Sequence, residues 1–404
     1  MKNKLKIFSI LILLFCCVWF FYQYNRTDPI ISLGVSTDGR YVISAHASRN
    51  AHPFFPKGQL VLWDIEKKEK KVLANKVNAY SAAFIPNSHE FMWQDDKDVV
   101  HIQNVEGKEL ASFKHFVLTG HLMSANKDFY LSANEHGQLF KGYGEQIIPI
   151  YTDGGIGTPL TLSMTEKYIL SAGVTGSTGK SVVVETNLTK NPINPDSSKS
   201  FSYDGVTLWD RHTLKPVARL WGNNGKTTGL ISPDGKWVVT GEENSPGYMW
   251  QLDNPMNRLG LARVKRGIYD SKSDSYDKSE LLSIPDKFED KIIYSGGGGT
   301  VAIVFLTEKE FIPLGRIYNT PNPNGYDDTF NVVPLYTAGS PWIKGYVEIE
   351  QEPKISTNYY GRNLSVSSSP KAHILVTGQA TGGGINVYKY HPDKMELEKI
   401  WVAD

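Results

Sequence analysis

The sequence predicts an all-β fold, a ring of about seven four-stranded blades (a β-propeller), preceded by one N-terminal transmembrane helix. Three observations predict the ring. The first is repetition: ISLGVSTDGRYVISAH and GQLVLWDIEKKEKKVL, within 31–73, are echoed in DGVTLWDRHTLKPVARL at 204–220 and TGLISPDGKWVVTG at 228–241. In each copy a short apolar strand meets an Asp-Gly turn (Asp38-Gly39, Asp234-Gly235) and a second strand follows; a third strand ends in Trp-Asp (Trp63-Asp64, Trp209-Asp210). Repeats on this period mean radially stacked sheets. The second is composition: 12% aromatic residues with 36 glycines suit many short strands and tight turns better than long helices. The third is that Leu60-Val61-Leu62-Trp63 and Val206-Thr207-Leu208-Trp209 are apolar on both faces, as strands sandwiched between neighbouring blades must be.

The chain opens with a basic tail, 1–6, carrying Lys2, Lys4 and Lys6, followed by the uncharged run IFSILILLFCCVWFFY at 7–22. Such a run costs too much to leave in water. It is slightly short of the ~20 residues a membrane-crossing helix needs, yet the lysines can snorkel, and Trp19, Tyr22 and Tyr24 suit the interface. A cleaved signal would want small residues where VWFFYQYN stands, and a lipid-attachment site would want a small residue where Phe15 precedes Cys16. The segment therefore reads as an uncleaved signal anchor. Positive charge before it places the N-terminus in the cytosol and the body outside, in a bacterium the periplasm. Both cysteines, Cys16 and Cys17, lie inside the anchor, so the body can occupy an oxidising compartment without mispairing. The sequons at Asn25, Asn187 and Asn363 would matter only in a eukaryotic lumen.

After a linker at 23–29, residues 30–404 read as the propeller. Blade one covers 31–73, blade two 79–113 and blade three 117–151. Blade four starts at 158–173 and resumes at 205–210. Blade five covers 226–264, with YMWQL as its third strand. Blade six is expected at 279–317, with ELLSI, KIIYSG, TVAIVFL and FIPLGRIY as its four strands, and blade seven at 363–402. The strand-three tryptophans are expected to fill the space between blades rather than to bind a ligand.

On Trp63-Asp64, Trp209-Asp210, the turns Ser36–Gly39 and Ser232–Gly235, and Gly120-His121, the chain resembles a divergent WD-repeat β-propeller. Gly-His is missing elsewhere, and blade five has Trp250-Gln251 in place of Trp-Asp. These departures predict that the buried hydrogen-bond network of regular members is absent. The resemblance implies scaffolding and partner binding rather than catalysis.

Insertions are expected at 46–58, 172–204, 265–278 and 318–362, joining either strands two and three or consecutive blades. In a propeller both kinds of connection emerge on one face, and function concentrates where long loops ride on a rigid scaffold. That face is expected to lie toward the bilayer. Within 318–362, Tyr318, Tyr326, Phe330, Tyr336, Trp342, Tyr346, Tyr359 and Tyr360 are candidate partner-binding residues, because tyrosine and tryptophan bury much area at low entropic cost. The competing possibility is that VVPLYTAG and IKGYVEIE form an additional hairpin packed on the propeller.

Several patterns fail as chemistry. Gly176–Ser181 resembles a phosphate loop, but Val174 stands where its first glycine belongs and no helix follows. The glycine run 296–299 reads as a turn between strands two and three of blade six. Asp95, Asp96 and Asp98 lack the spacing of a calcium loop, and the histidines lack ligand spacing. The net charge of +1 leaves no basic stripe for nucleic acid. No cofactor, metal or catalytic residue is assigned. The expected function is a membrane-anchored, extracytoplasmic scaffold, or an inhibitor of immunity type, for a protein partner at the membrane. The alternative is a propeller enzyme, or a small-ligand or cofactor-binding module, with its site at the central channel.

Overall fold

The computed structural model describes residues 28–47, 58–114, 120–133, 139–143, 146–149, 159–173, 206–220, 228–241, 247–261, 269–270, 275–276, 287, 300–315, 332–349, 355, 364–379 and 382–404. The expected anchor at 7–22 lies outside them, and no helix among the described residues is long and apolar enough to cross a membrane.

Seven four-stranded antiparallel sheets are present, each strand pairing with the next in sequence. Blade one is β1–β4 (Ile30–Val35, Tyr41–His46, Gln59–Asp64, Glu69–Asn75). Blade two is β5–β8 (Ser81–Phe84, Glu90–Gln94, Val99–Asn104, Glu109–Lys114) and blade three β9–β12 (Gly120–Met123, Tyr130–Ala133, Leu139–Tyr143, Gln146–Pro149). Blade four is β13–β16 (Pro159–Met164, Tyr168–Gly173, Thr207–Asp210, Pro216–Arg219) and blade five β17–β20 (Thr228–Ile231, Trp237–Gly241, Tyr248–Gln251, Asn254–Gly260). A ribbon, β21–β22 (Tyr269–Asp270, Ser275–Tyr276), lies between blades five and six. Blade six is β23–β26 (Thr300–Phe305, Glu310–Gly315, Val332–Thr337, Ile343–Glu348) and blade seven β27–β30 (Val366–Ser369, Ile374–Gly378, Ile385–His391, Glu396–Ala403).

The first strands line the middle of the ring, each packed beside the next, and β27 returns to β1. Their edges do not form a continuous backbone ladder. Hydroxyls bridge them instead: Thr161 Oγ1 donates to Gly229 O and accepts from Gly229 N, both at 2.9 Å, and Ser163 Oγ accepts from Ile231 N. Ser32 makes the same paired contact with Ala82 of blade two. Backbone groups beside the channel thus find partners in the neighbouring blade.

Among the described residues no strand is exchanged between blades one and seven, and side chains bridge that seam. Ser365 Oγ donates to Ile30 O (2.9 Å), Ser369 Oγ to Thr37 O (2.6 Å), and Val35 N–H to Ser367 Oγ (3.2 Å). Beneath them Ile30, Val42 and Trp63 of blade one join Ile374, Val376 and Val387 of blade seven in one apolar cluster.

The repeated turns are built alike. Ser36 Oγ donates to Asp38 Oδ1 and accepts from Tyr41 N; Ser232 does the same with Asp234 and Trp237. Gly39 and Gly235 both hold positive φ, at 73° and 68°. Their surroundings differ: a Cβ on Gly39 would lie 2.4 Å from Ala372 Cβ across the seam, whereas one on Gly235 meets nothing closer than 4.0 Å. Gly235→Ala should therefore cost only the ~1–2 kcal/mol of left-handed backbone, and Gly39→Ala distinctly more. Urea midpoints of the two variants check this, and equal shifts would count against the seam contact.

Blade six corrects the sequence expectation. TVAIVF and EFIPLG are its first and second strands, not its third and fourth, and VVPLYT and IKGYVE complete the sheet. The anticipated extra hairpin is therefore the outer half of a blade. ELLSI, KIIYSG and the glycine run 296–299 lie outside the described residues, and the glycines precede β23 instead of separating strands two and three. Pro313, which has no N–H to donate, stands in β24, and β24 pairs with β25 over only Glu310–Phe311.

Candidate interaction faces

Antiparallel pairing fixes which connections share a face. Ile30, the start of β1, pairs with His46, the end of β2, so both lie on the face from which the strand-two-to-three and blade-to-blade connections leave. Every connection longer than ten residues is of those two kinds: 47–58, 174–206, 261–299, 316–331 and 349–365. On the opposite face no turn between described strands exceeds six residues. The single long insertion expected at 318–362 is thus two connections separated by a hairpin.

That hairpin redistributes the candidate aromatics. Tyr336 is fully buried in β25, stacked on Phe311 with ring centroids 5.6 Å apart, and Tyr346 is buried in β26. Neither offers a surface to a partner, because both side chains are buried in the sheet packing. Trp342 is 69% exposed, but it sits in the β25–β26 turn on the short-turn face, not with the long connections. Tyr318, Tyr326, Phe330, Tyr359 and Tyr360 lie outside the described residues.

Beside the long-connection face, at the start of blade one, lies a buried polar chain. Trp63 Nε1 donates to Ser44 Oγ at 2.8 Å, Ser44 Oγ lies 2.9 Å from His46 Nε2, and His46 Nδ1 lies 3.0 Å from Asp28 O. A carbonyl can only accept, so Nδ1 carries the proton and Nε2 takes the Ser44 hydroxyl hydrogen. Burial is what pushes His46 down to about 4; the Asp28 bond opposes it and the charge on Lys70 adds to it. Blade one therefore carries a buried Trp–Ser–His chain of its own, with the histidine two residues after the serine on the same strand and not in a Gly-His dipeptide. Although a serine beside a histidine resembles a nucleophile and its base, Ser44 and His46 are both sealed from solvent and the hydroxyl is engaged on both sides.

Blade four keeps part of this arrangement, Trp209 Nε1 donating to Ser171 Oγ at 3.0 Å. In blade five Thr240 holds the equivalent position but donates to Tyr248 O, and Trp250 Nε1 meets no acceptor among the described residues. As expected, all three tryptophans are buried between blades.

Among the described residues, two clefts open on the short-turn face. One, between blades one, two and seven, is lined by Thr37, Asp38, Asn87, Ser88, His89 and Lys371. There His89 Nε2 lies 2.7 Å from Asp38 Oδ2. Partial burial works to raise Asp38, but bonds from Ser36, His89 and the Arg40 backbone outweigh it and hold the carboxyl at about 2. The other cleft, between blades six and seven, contains Lys309, Glu310, Lys344, Lys371 and His373. Among the described residues, no group of three or more His, Cys, Asp or Glu side chains is placed to hold a metal ion.

No protein-family model matches the sequence, and no curated protein matches it. Solved structures do. A chain of the mitotic checkpoint complex superposes with a TM-score of 0.52 at 13% identity, over 88% of this chain and 86% of that one. A chain from the outer-coat vertex of COPII on membranes gives 0.53 at 12% identity, over 90% of this chain and 84% of that one. The fold is a seven-bladed β-propeller. At such identities the propeller's shape is shared and its chemistry must be read from its own residues.

Proposed function

We propose that this WD-repeat-like propeller is a membrane-anchored, extracytoplasmic protein-interaction module, acting as a scaffold or as an inhibitor of immunity type on a partner in or at the membrane. One observation carries the reading: all five long connections leave from a single face of a closed, rigid ring, the face on which β1 begins. The anchor at 7–22 and its linker precede β1, and a seven-residue linker spans at most ~25 Å. The long connections would therefore be held close to the bilayer. Propellers of this shape occur as parts of the mitotic checkpoint complex and the COPII coat, which accords with a role in assemblies.

The test has two arms. Alkaline carbonate should leave the full chain in the membrane pellet, and protease added to the extracytoplasmic side should reach the body; release by carbonate or full protection would overturn the anchored topology. Photo-cross-linkers placed in 174–205 and 316–331 should trap a membrane protein in intact cells. Cross-links confined to the short-turn face would overturn the assignment of the binding face.

A further inference from the structure

Trp342 has the most exposed large apolar side chain among the described residues, and its backbone is not free to hide it. Ala338 N–H donates to Lys309 O, Ser340 N–H to Thr337 O, and a Cβ on Gly339 would sit 3.1 Å from the Trp237 ring of blade five. The first part of the turn is therefore held in place, and Trp342 N–H donates to Ser340 Oγ at 3.4 Å. Ile343, the next residue, packs toward blade five with Trp237. Lys344, which follows Ile343, lines the cleft between blades six and seven, and Trp342 stands beside that cleft, in the turn whose preceding residue Thr337 forms part of its wall.

That cleft has an excess of positive charge. Glu310, almost fully buried, is already engaged by Lys344 and by the Tyr390 hydroxyl, which donates to it at 3.0 Å. This leaves Lys309, Lys371 and His373 facing one further carboxylate, Glu308. Among the described residues neither Lys309 nor Lys371 forms an ion pair. An exposed tryptophan beside a concave site in which two lysines face a single remaining carboxylate has the make-up of a binding hot spot.

We propose that the blade six–seven cleft docks an acidic segment of a soluble protein, an apolar or aromatic residue of that segment covering Trp342 while its carboxylates reach Lys309 and Lys371. The inference rests on the reading of the chain as a binding scaffold, and gives it a second face. Because the N-terminal stem leaves from the opposite face, this one points away from the bilayer, where a soluble partner can reach it.

A phage-displayed library of random dodecapeptides, panned on the purified full chain in detergent, tests it. Enriched peptides should place Asp or Glu around an aromatic residue. The strongest of them, made synthetically, should bind about tenfold or more weakly to Trp342→Ala and to the Lys309→Glu/Lys371→Glu pair. All three side chains are exposed, so both variants should keep the parent's unfolding midpoint. No enrichment, enrichment without acidic residues, or unchanged affinity in either variant would overturn the site. Failure of the scaffold reading looks different: membrane cross-linking would then trap no protein on any face.

Discussion

Trp63→Ala is expected to destabilise the propeller by roughly 3–5 kcal/mol, the usual cost of removing a buried large ring. The ring packs in the seam between blades one and seven, meeting Trp401 edge-on at 6.1 Å with Lys70 above it at 5.6 Å. Phenylalanine separates packing from hydrogen bonding. Trp63→Phe keeps most of the ring but deprives Ser44 of its indole donor, an expected loss of about 1–3 kcal/mol. Trp250→Phe should cost less, since its Nε1 already lacks an acceptor and only ring volume is removed. Urea midpoints of the three variants decide the matter. Equal losses for the two phenylalanine variants would mean that the Trp63 N–H contributes nothing to the seam.

The parts of this fold that were legible in the sequence are those where one residue type has one job. Ser-x-Asp-Gly at 36–39 and 232–235 is a turn because the serine and aspartate side chains close it and glycine takes the positive φ. Blade six was misread because TVAIVF, EFIPLG and VVPLYT are all apolar runs, each covered on both sides by neighbouring blades, and composition cannot rank them from the channel outward. Fourth strands do carry a signal. β4 is exposed along most of its length, while all six residues of β24 are buried. An outer strand cannot be apolar throughout, so EFIPLG could have been excluded from that position by its sequence alone.

The site was less legible. His46 belongs to the Trp63 network through Ser-x-His within one strand, two positions that alternation puts on the same side. The expectation of a Gly-His dipeptide ahead of the first strand pointed elsewhere. Trp342, expected among the long connections, stands on the other face, because a hairpin that completes a blade turns its tip away from them.

Between neutral pH and pH 5 the propeller should lose about 2 kcal/mol of stability through His46 alone. Released by unfolding, the imidazole takes a proton near its ordinary 6.5; folded and dry, it resists until about 4. Through that interval the unfolded chain binds more protons, so stability falls as the pH falls, and only well above 6.5 does the group stop contributing to the slope. Asp38 acts in a lower window. Its folded carboxyl is held at about 2 against an ordinary 3.8, so its contribution is intact above 3.8 and is lost as the pH falls toward 2, and its exposure keeps that contribution small. The two groups therefore do not overlap. His46→Gln cannot titrate, yet its amide can still donate toward Asp28 and accept from Ser44. Although the variant should start less stable, its urea midpoint should change less between pH 7.5 and pH 5.0 than that of the parent. Subtracting the two removes every other histidine from the comparison. Parallel pH profiles would show that the folded ring accepts the proton at no cost, and the dry Trp63–Ser44–His46 chain would then have no energetic role in holding blade one closed.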